Sequence, residues 1–279
     1  MAYENFIPSV WSEAINRGLE RACVFVEDCN RQYEGDVSKQ GDSVHILGVG
    51  KPTIRTLERA NASGGIEAAE EVADSSVILN INQIRYFNYK VGDIDKAQAV
   101  NGLMEALSDE TSEALANAMD KYVADLVSDA EKLNATAVKV TKDNVLDILD
   151  SAIQYLQEKD VSFANGGVSV TLSPRFYKLF KQAYIDKNTS NTGDLKNGNV
   201  CMYGNVRVKL SNNVNKTSDG AEDNIMMRTK RAIAFVNPLT HTEAYRPENS
   251  FADAVKGYVL FDGKIVRPDE IVNINVKYA

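Results

Sequence analysis

Residues 95–133 read DKAQAVNGLMEALSDETSEALANAMDKYVADLVSDAEKL, and this stretch decides how the rest of the chain is organised. Apolar or small residues fall at Ile94, Ala97, Val100, Met104, Leu107, Thr111, Leu115, Ala118, Tyr122, Leu126, Ala130 and Leu133. Steps of three or four mark one face of a helix. No proline interrupts the run, Gly102 is its one glycine, and at 1.5 Å per residue it extends ~60 Å. Asp95 with Gln98 makes a capping-box start, and Asn134 is the expected stop. A run this long suits a coiled coil, but Ala97, Thr111, Ala118 and Ala130 offer little volume for knobs-into-holes packing. The pattern predicts a single spine helix lying against a sheet.

Composition fits a globular chain with a sizeable core. Its 279 residues are 44% hydrophobic, enough for one large or two small domains. No run approaches the ~18 apolar residues of a membrane span, and MAYENFIPSVW lacks the basic-then-apolar order of a signal peptide. The expectation is a cytoplasmic site of synthesis with no membrane partner. Cys23, Cys29 and Cys201 show no metal-ligand spacing and imply packing roles in a reducing compartment. A formal charge of −8 without a basic block argues against tight nucleic-acid binding, which depends on neutralising phosphates.

Along the chain, Trp11, Ile15, Leu19, Ala22 and Phe25 or Val26 form one stripe, predicting an amphipathic helix over residues 9–26 behind a polar tail. Val44 and Ile46 share a face of a short strand over 41–47, with His45 on the other. Between Gly48 and Ser76 the periodicity fails: Gly48, Gly50, Pro52 and Gly64-Gly65 break it, and Glu67, Glu70, Glu71 and Asp74 form an acidic group. So long a coreless stretch is functional or disordered. It returns into a strand with Val77, Leu79, Ile81, Phe87, Tyr89 and Val91 on alternate positions, as a long hairpin projecting from a sheet would. After the spine come a helix over 145–156 capped by Thr141 or a neighbour, a strand over 168–172 and a helix started by Ser173-Pro174. Alternation around Gly204-Asn205 follows, then a polar loop over 211–224 and a strand over 232–236. A hairpin across Asp262-Gly263 and a last strand carrying Val272, Ile274 and Val276 close the chain. This mixture is α+β.

Chemistry is thinly represented. His45 and His241 are far apart in sequence and neither has a nucleophile in a recognisable context. Gly48-Val49-Gly50-Lys51 lacks the first glycine of a phosphate loop and has Pro52 where Ser or Thr should stand. Asp93 and Asp95 fit acidic helix caps better than metal ligands. The 186–197 stretch lacks the sixth and twelfth residues of a calcium loop. Arg228, Lys230 and Arg231 read as a solvated strand edge. No catalytic, cofactor or metal residue is assigned, and an enzyme is not expected.

The order of these parts is more informative than any motif. Trp11-Ser12, Gly41-Asp42-Ser43-Val44, Asp93-Ile94-Asp95-Lys96-Ala97-Gln98, Val170-Thr171-Leu172-Ser173-Pro174, Gly204-Asn205-Val206-Arg207-Val208, Ser211-Asn212-Asn213-Val214 and Val266-Arg267-Pro268-Asp269 occur in an order that resembles the major capsid (coat) proteins of tailed bacteriophages. The resemblance covers nearly the whole chain and is nearest to podovirus-type coat proteins without a large inserted domain. It implies an N-terminal arm and first strand (1–47), an extended loop (48–76), a peripheral-domain strand and spine helix (77–140), an axial domain (141–236) and C-terminal strands returning to these domains (237–279). It also implies a structural subunit that self-assembles through hexamers and pentamers into an icosahedral head around double-stranded DNA, assembled in the host cytoplasm and residing in the virion.

On this resemblance the partners are other copies of the chain, with scaffolding, portal and decoration proteins as further candidates, and DNA held only non-specifically. The expected inter-subunit residues are Arg55, Glu58, Arg59, Glu67, Glu70 and Glu71 of the extended loop, and Phe6, Trp11 and Arg17 of the arm. Two other readings compete. A nanocompartment (encapsulin-like) shell needs a pocket for cargo peptides, and a small hydrolase or binding module using His45 predicts a monomer.

Overall fold

The computed structural model describes residues 23–33, 43–49, 74–92, 103–164, 167–186, 202–249 and 251–278. Helix α1, Leu103–Asp125, is the central part of the expected spine, about 35 Å long at 1.5 Å per residue. Its start signals at Asp95 and Gln98, and the metal candidates Asp93 and Asp95, lie outside the described residues. Its end comes earlier than expected. A 3-10 turn, Leu126–Asp129, closes the helix, and Ala130 is extended. The cause is tertiary: Leu133 donates its amide to the Asn273 carbonyl at 2.8 Å, and Asn273 donates its own to Glu131 at 2.9 Å. A parallel bridge at Lys132 replaces the next helical turn.

The buried face of α1 also lies beside the expected stripe. Ser108, Ser112, Leu115, Ala116, Met119, Asp120, Val123, Ala124 and Val127 are buried, whereas Ala118, Tyr122 and Leu126 are half-buried. Serines and one aspartate share the buried row, so apolar spacing alone marked its flank. Ser112 returns its hydroxyl to the Ser108 carbonyl at 2.8 Å, a local bond that satisfies the group without a distant partner.

Among the described residues the strands form three sheets. Strands β1 (Ser43–Val49) and β2 (Asp74–Asn80) pair antiparallel with Val49 opposite Asp74. The expected long hairpin is therefore present, though Gly48 pairs with Ser75 in the ladder and the strands run further than the breakers suggested. The run after it is two strands, not one. β3 (Gln83–Gly92) starts after a break at Ile81-Asn82 and joins a different sheet, beside β11 (Ala252–Ile265), which in turn pairs with β10 (Ile233–Tyr245).

β4 is Val138–Lys139, α2 Val145–Glu158, β5 Val168–Leu172, α3 Pro174–Asp186, β6 Met202–Tyr203, β7 Val206–Leu210 and β8 Asn215–Lys216. β9 is Glu222–Thr229, β10 Ile233–Tyr245, β11 Ala252–Ile265 and β12 Ile271–Lys277. The third sheet has seven strands in order β4-β12-β9-β5-β7-β6, with β8 on β9. Ser173 Oγ accepts the Phe176 amide at 3.3 Å and so caps α3 as expected. Thr141 does not cap α2; its amide instead goes to Asn144 Oδ1 at 2.8 Å. Gly204 and Asn205, with φ of 54° and 65°, form the turn that joins β6 to β7.

Two readings of strands change. β9 lies inside the seven-stranded sheet, where a polar loop ran up to residue 224, and β10 continues from Ile233 to Tyr245. Asp262-Gly263 is no hairpin: β11 runs straight through it, with Val236 opposite Asp262 and Phe235 opposite Gly263. One large core joins α1, α2, α3 and the seven-stranded sheet. A second, smaller one joins Val44, Ile46, Leu79 and Ile81 of the hairpin to Ala234, Val236 and Leu260.

Candidate functional site

The expected contact residues Phe6, Trp11 and Arg17 of the arm, and Arg55, Glu58, Arg59, Glu67, Glu70 and Glu71 of the loop, lie outside the described residues. Their attachment points are described. The first is a short turn held by side chains, and the second a hairpin held by its own strand ladder.

The chain emerges from the N-terminal segment at Cys23 and makes a 3-10 turn at Val26–Asp28. So short a turn leaves its first amides without internal partners. Asp120, from the middle of α1, accepts all three: Val24 at Oδ2 (2.7 Å), and Phe25 and Val26 at Oδ1 (3.0 and 3.1 Å). Carbonyls of the same turn point the other way, to Arg228 of β9. Its guanidinium donates to Phe25 O and Asp28 O, both at 2.5 Å, and to Cys29 Sγ at 3.5 Å. Arg228 is 2% exposed and Asp120 1%, which overturns the reading of Arg228 as a solvated edge. The basic residue is buried because it completes the hydrogen bonding of a loop.

An outer ring of charge reinforces the turn. Arg207 lies 3.1 Å from Asp28, and Lys209 lies 3.0 Å from Asp28 and 2.7 Å from Glu27. Beyond the turn, Asn30 adds a parallel bridge to β10, donating to Ile233 O at 2.8 Å and accepting from the Phe235 amide at 3.0 Å. Burial raises the Asp120 carboxyl despite the three amides and Arg228. At Asp28 burial also raises the carboxyl, but the hydrogen bond and charge of Lys209, with Arg207, outweigh it and hold the group below the usual carboxylate range. The Cys23 thiol is pushed up to about 12 by burial, then by Asp120. Cys23 and Cys29 are both free and buried, as packing roles required, while Cys201 lies outside the described residues.

The loop root is the β1–β2 hairpin. Its inner face, Val44, Ile46, Leu79 and Ile81, is buried on the second core, as the alternation predicted for Val44 and Ile46. Lys264 Nζ donates to Ile78 O at 3.0 Å, and Asp262 Oδ2 accepts the Asn82 amide at 3.1 Å. Hairpin and three-stranded sheet are thereby tied at both their apolar face and their end.

Among the described residues no group of three or more His, Cys, Asp or Glu side chains is arranged to hold a metal. No helix there is long and apolar enough to cross a membrane. His241 is exposed with its ring 5.7 Å from that of Tyr258. The side chain of His45 and the 187–197 part of the calcium-loop candidate lie outside the described residues.

No protein-family model and no curated protein matches the chain. Solved structures do. A structure from Mycobacterium phage Che8 shares 28% identity across 90% of this chain and 90% of its own, with a TM-score of 0.74. The capsid of cyanophage P-SCSP1u shares the fold over 92% of this chain and 88% of its own, with a TM-score of 0.73 at 16% identity. The chain shares the fold of these phage structures over nine-tenths of its length. Its architecture of helices and strands is the phage capsid fold. A virus-like particle from Pyrococcus furiosus has a related fold, at a TM-score of 0.55 and 12% identity over 96% of this chain and 98% of its own.

Sequence reasoning placed function in the projecting segments and overlooked the residues that hold them. A signal for one was available: Asp120 is four residues after Ala116 and three before Val123, so a carboxylate sits within the buried row of the spine. Such a group needs dedicated donors.

Proposed function

We propose that the chain is a tailed-phage major capsid protein, the repeating subunit of an icosahedral head, assembling through hexamers and pentamers around double-stranded DNA. The observation that carries the reading is the 28% identity to the Che8 phage structure over nine-tenths of both chains. The attachment points support it, because the arm leaves from a turn held by buried bonds and the loop from a hairpin whose apolar face is buried, as segments that find their partners on other subunits require. Residues 1–47 act as arm and first strand, 48–76 as the extended loop, 77–140 as peripheral strand and spine, 141–236 as axial domain, and 237–279 as strands returning to them. Arg55, Glu58, Arg59, Glu67, Glu70 and Glu71, with Phe6, Trp11 and Arg17, contact neighbouring copies. A net charge of −8 suits a container that confines DNA without gripping it. Assembly takes place in the host cytoplasm, with scaffolding, portal and decoration proteins as candidate further partners.

The likeness to the Pyrococcus furiosus particle favours a second reading, a shell enclosing protein cargo. Electron microscopy of the purified chain and of infected cells separates them. Shells built of hexamers and pentamers, filled with DNA in infected cells, are expected. Protein-filled shells support the second reading, and a monomer without particles overturns both.

A further inference from the structure

The turn at residues 24–28 is gripped from opposite sides by two buried side chains of opposite charge. Asp120 takes its amides, and Arg228 takes the carbonyls of Phe25 and Asp28. The three parts are distant in sequence, on the N-terminal segment, α1 and β9. We propose that Asp120 and Arg228 are positioning residues for assembly, fixing the course on which the N-terminal segment joins the subunit. This rests on the reading of the chain as a self-assembling shell subunit.

Two observations point to direction rather than bulk stability. First, burying a carboxylate and a guanidinium is costly, and apolar side chains of similar volume stabilise a core as well or better; what charged groups add is a demand for one geometry. Here that demand falls on the backbone itself, through five directional bonds to a segment of three 3-10 residues and its flanks. Secondly, close packing is incomplete on one side of this turn. A pocket of about 350 Å³, half open to solvent, is lined there by Cys23, Val26, Glu27 and Arg31 from the segment, Met119 from α1, and Lys230, Phe235 and Asn237 from the β9–β10 side. Apolar contact on that side therefore leaves room for the turn to shift, and the polar bonds hold it in place.

The test uses the full-length chain as wild type, Asp120→Asn and Arg228→Lys. Asparagine keeps the shape of Asp120 but replaces one of its two acceptor oxygens with a carboxamide NH2 donor, so it cannot accept from all three amides as the carboxylate does. Lysine keeps the charge of Arg228 but cannot fork to two carbonyls. Hydrogen exchange on the unassembled chain should show protection of the Val24, Phe25 and Val26 amides falling about tenfold or more in the variants, with the amides of β12 unchanged. The same variants should yield particles of altered or mixed diameter by electron microscopy.

Loss of protection in β12 together with residues 24–26 marks a merely structural role and overturns the proposal. Unchanged protection at 24–26 overturns it too, as do wild-type particles despite a selective loss. Should Arg228→Lys fail to fold, Asp120→Asn decides alone. Absence of particles from the wild-type chain overturns the shell reading itself, and is seen before any variant is compared.

Discussion

Tyr122 of the spine helix donates its hydroxyl to Asp262 Oδ1 of β11 at 2.5 Å. The same oxygen takes the Gly263 amide at 2.7 Å, and Oδ2 takes the Asn82 amide at 3.1 Å. One carboxylate thus joins the spine, the three-stranded sheet and the point where the loop hairpin hands over to β3. Tyr122→Phe leaves Asp262 two donors and should cost about 1–3 kcal/mol. Asp262→Ala strips the acceptor from Tyr122, Gly263 and Asn82 and should cost more than Tyr122→Phe. Denaturant unfolding of the unassembled chain measures both, and equal costs would show that the Gly263 and Asn82 bonds contribute nothing.

Asp120 and Asp28 serve the same anchor yet respond oppositely to pH. Asp28 is held below its ordinary range, so its contribution is full above the unfolded value of about 4 and is lost as pH falls through the lower folded value. Asp120 is raised, so its contribution is full below the unfolded value and is lost as pH rises through the folded one. The penalty of Asp28→Asn should therefore shrink on acidification below about pH 4, while that of Asp120→Asn should grow as pH falls from neutrality toward the unfolded value of about 4. Unfolding free energies of the two variants against wild type over this range give the answer. Parallel pH profiles would show that the two carboxylates do not differ in this way.

Gly257 lies at the crowded centre of the three-stranded sheet, opposite Phe87 of β3 and Thr242 of β10. A Cβ added there would stand 2.6 Å from the His241 carbonyl oxygen and 2.6 Å from Phe87 Cζ. The phenyl ring can turn aside, but the carbonyl belongs to a strand held in the ladder. Gly257→Ala should destabilise by about 1–3 kcal/mol. Gly263→Ala, whose nearest neighbour is the Phe235 side chain at 3.3 Å, should cost less. Thermal unfolding of the pair ranks them, and a reversed order removes the steric account.

Legibility in the sequence followed contrast between neighbouring positions. Val44 and Ile46 were readable because one face of β1 is covered, and Phe176, Phe180 and Ala183 because α3 has a single buried side. β9 escaped because it is covered on both faces: Ile225, Met226 and Met227 are consecutive and buried, while buried Asp223 and Arg228 make its ends look polar. Asp262-Gly263 carried a strong local turn signal, but Tyr122 and Asn82 use the aspartate as an acceptor and the strand continues. Local signals were thus overruled wherever a polar side chain had a distant partner. Such partners are invisible to periodicity, and they are what form the arm and loop roots.

The extended loop offers the sharpest test of assembly. Its roots are fixed at Val49 and Asp74 by the hairpin ladder, and the sequence between them contains Glu67, Glu70 and Glu71 in a stretch with no apolar period. Three carboxylates so close together repel one another unless cations face them, and on the shell reading those cations belong to a neighbouring subunit. Replacing all three with lysine reverses the local charge without touching β1, β2 or either core. The variant should unfold at the wild-type temperature while sedimenting as unassembled protein under conditions where wild type forms particles. High salt should narrow that difference, because screening at about 1 M shortens the reach of charge to about 3 Å. Particles forming normally at low salt would sink the acidic-contact reading and leave the arm as the segment to examine.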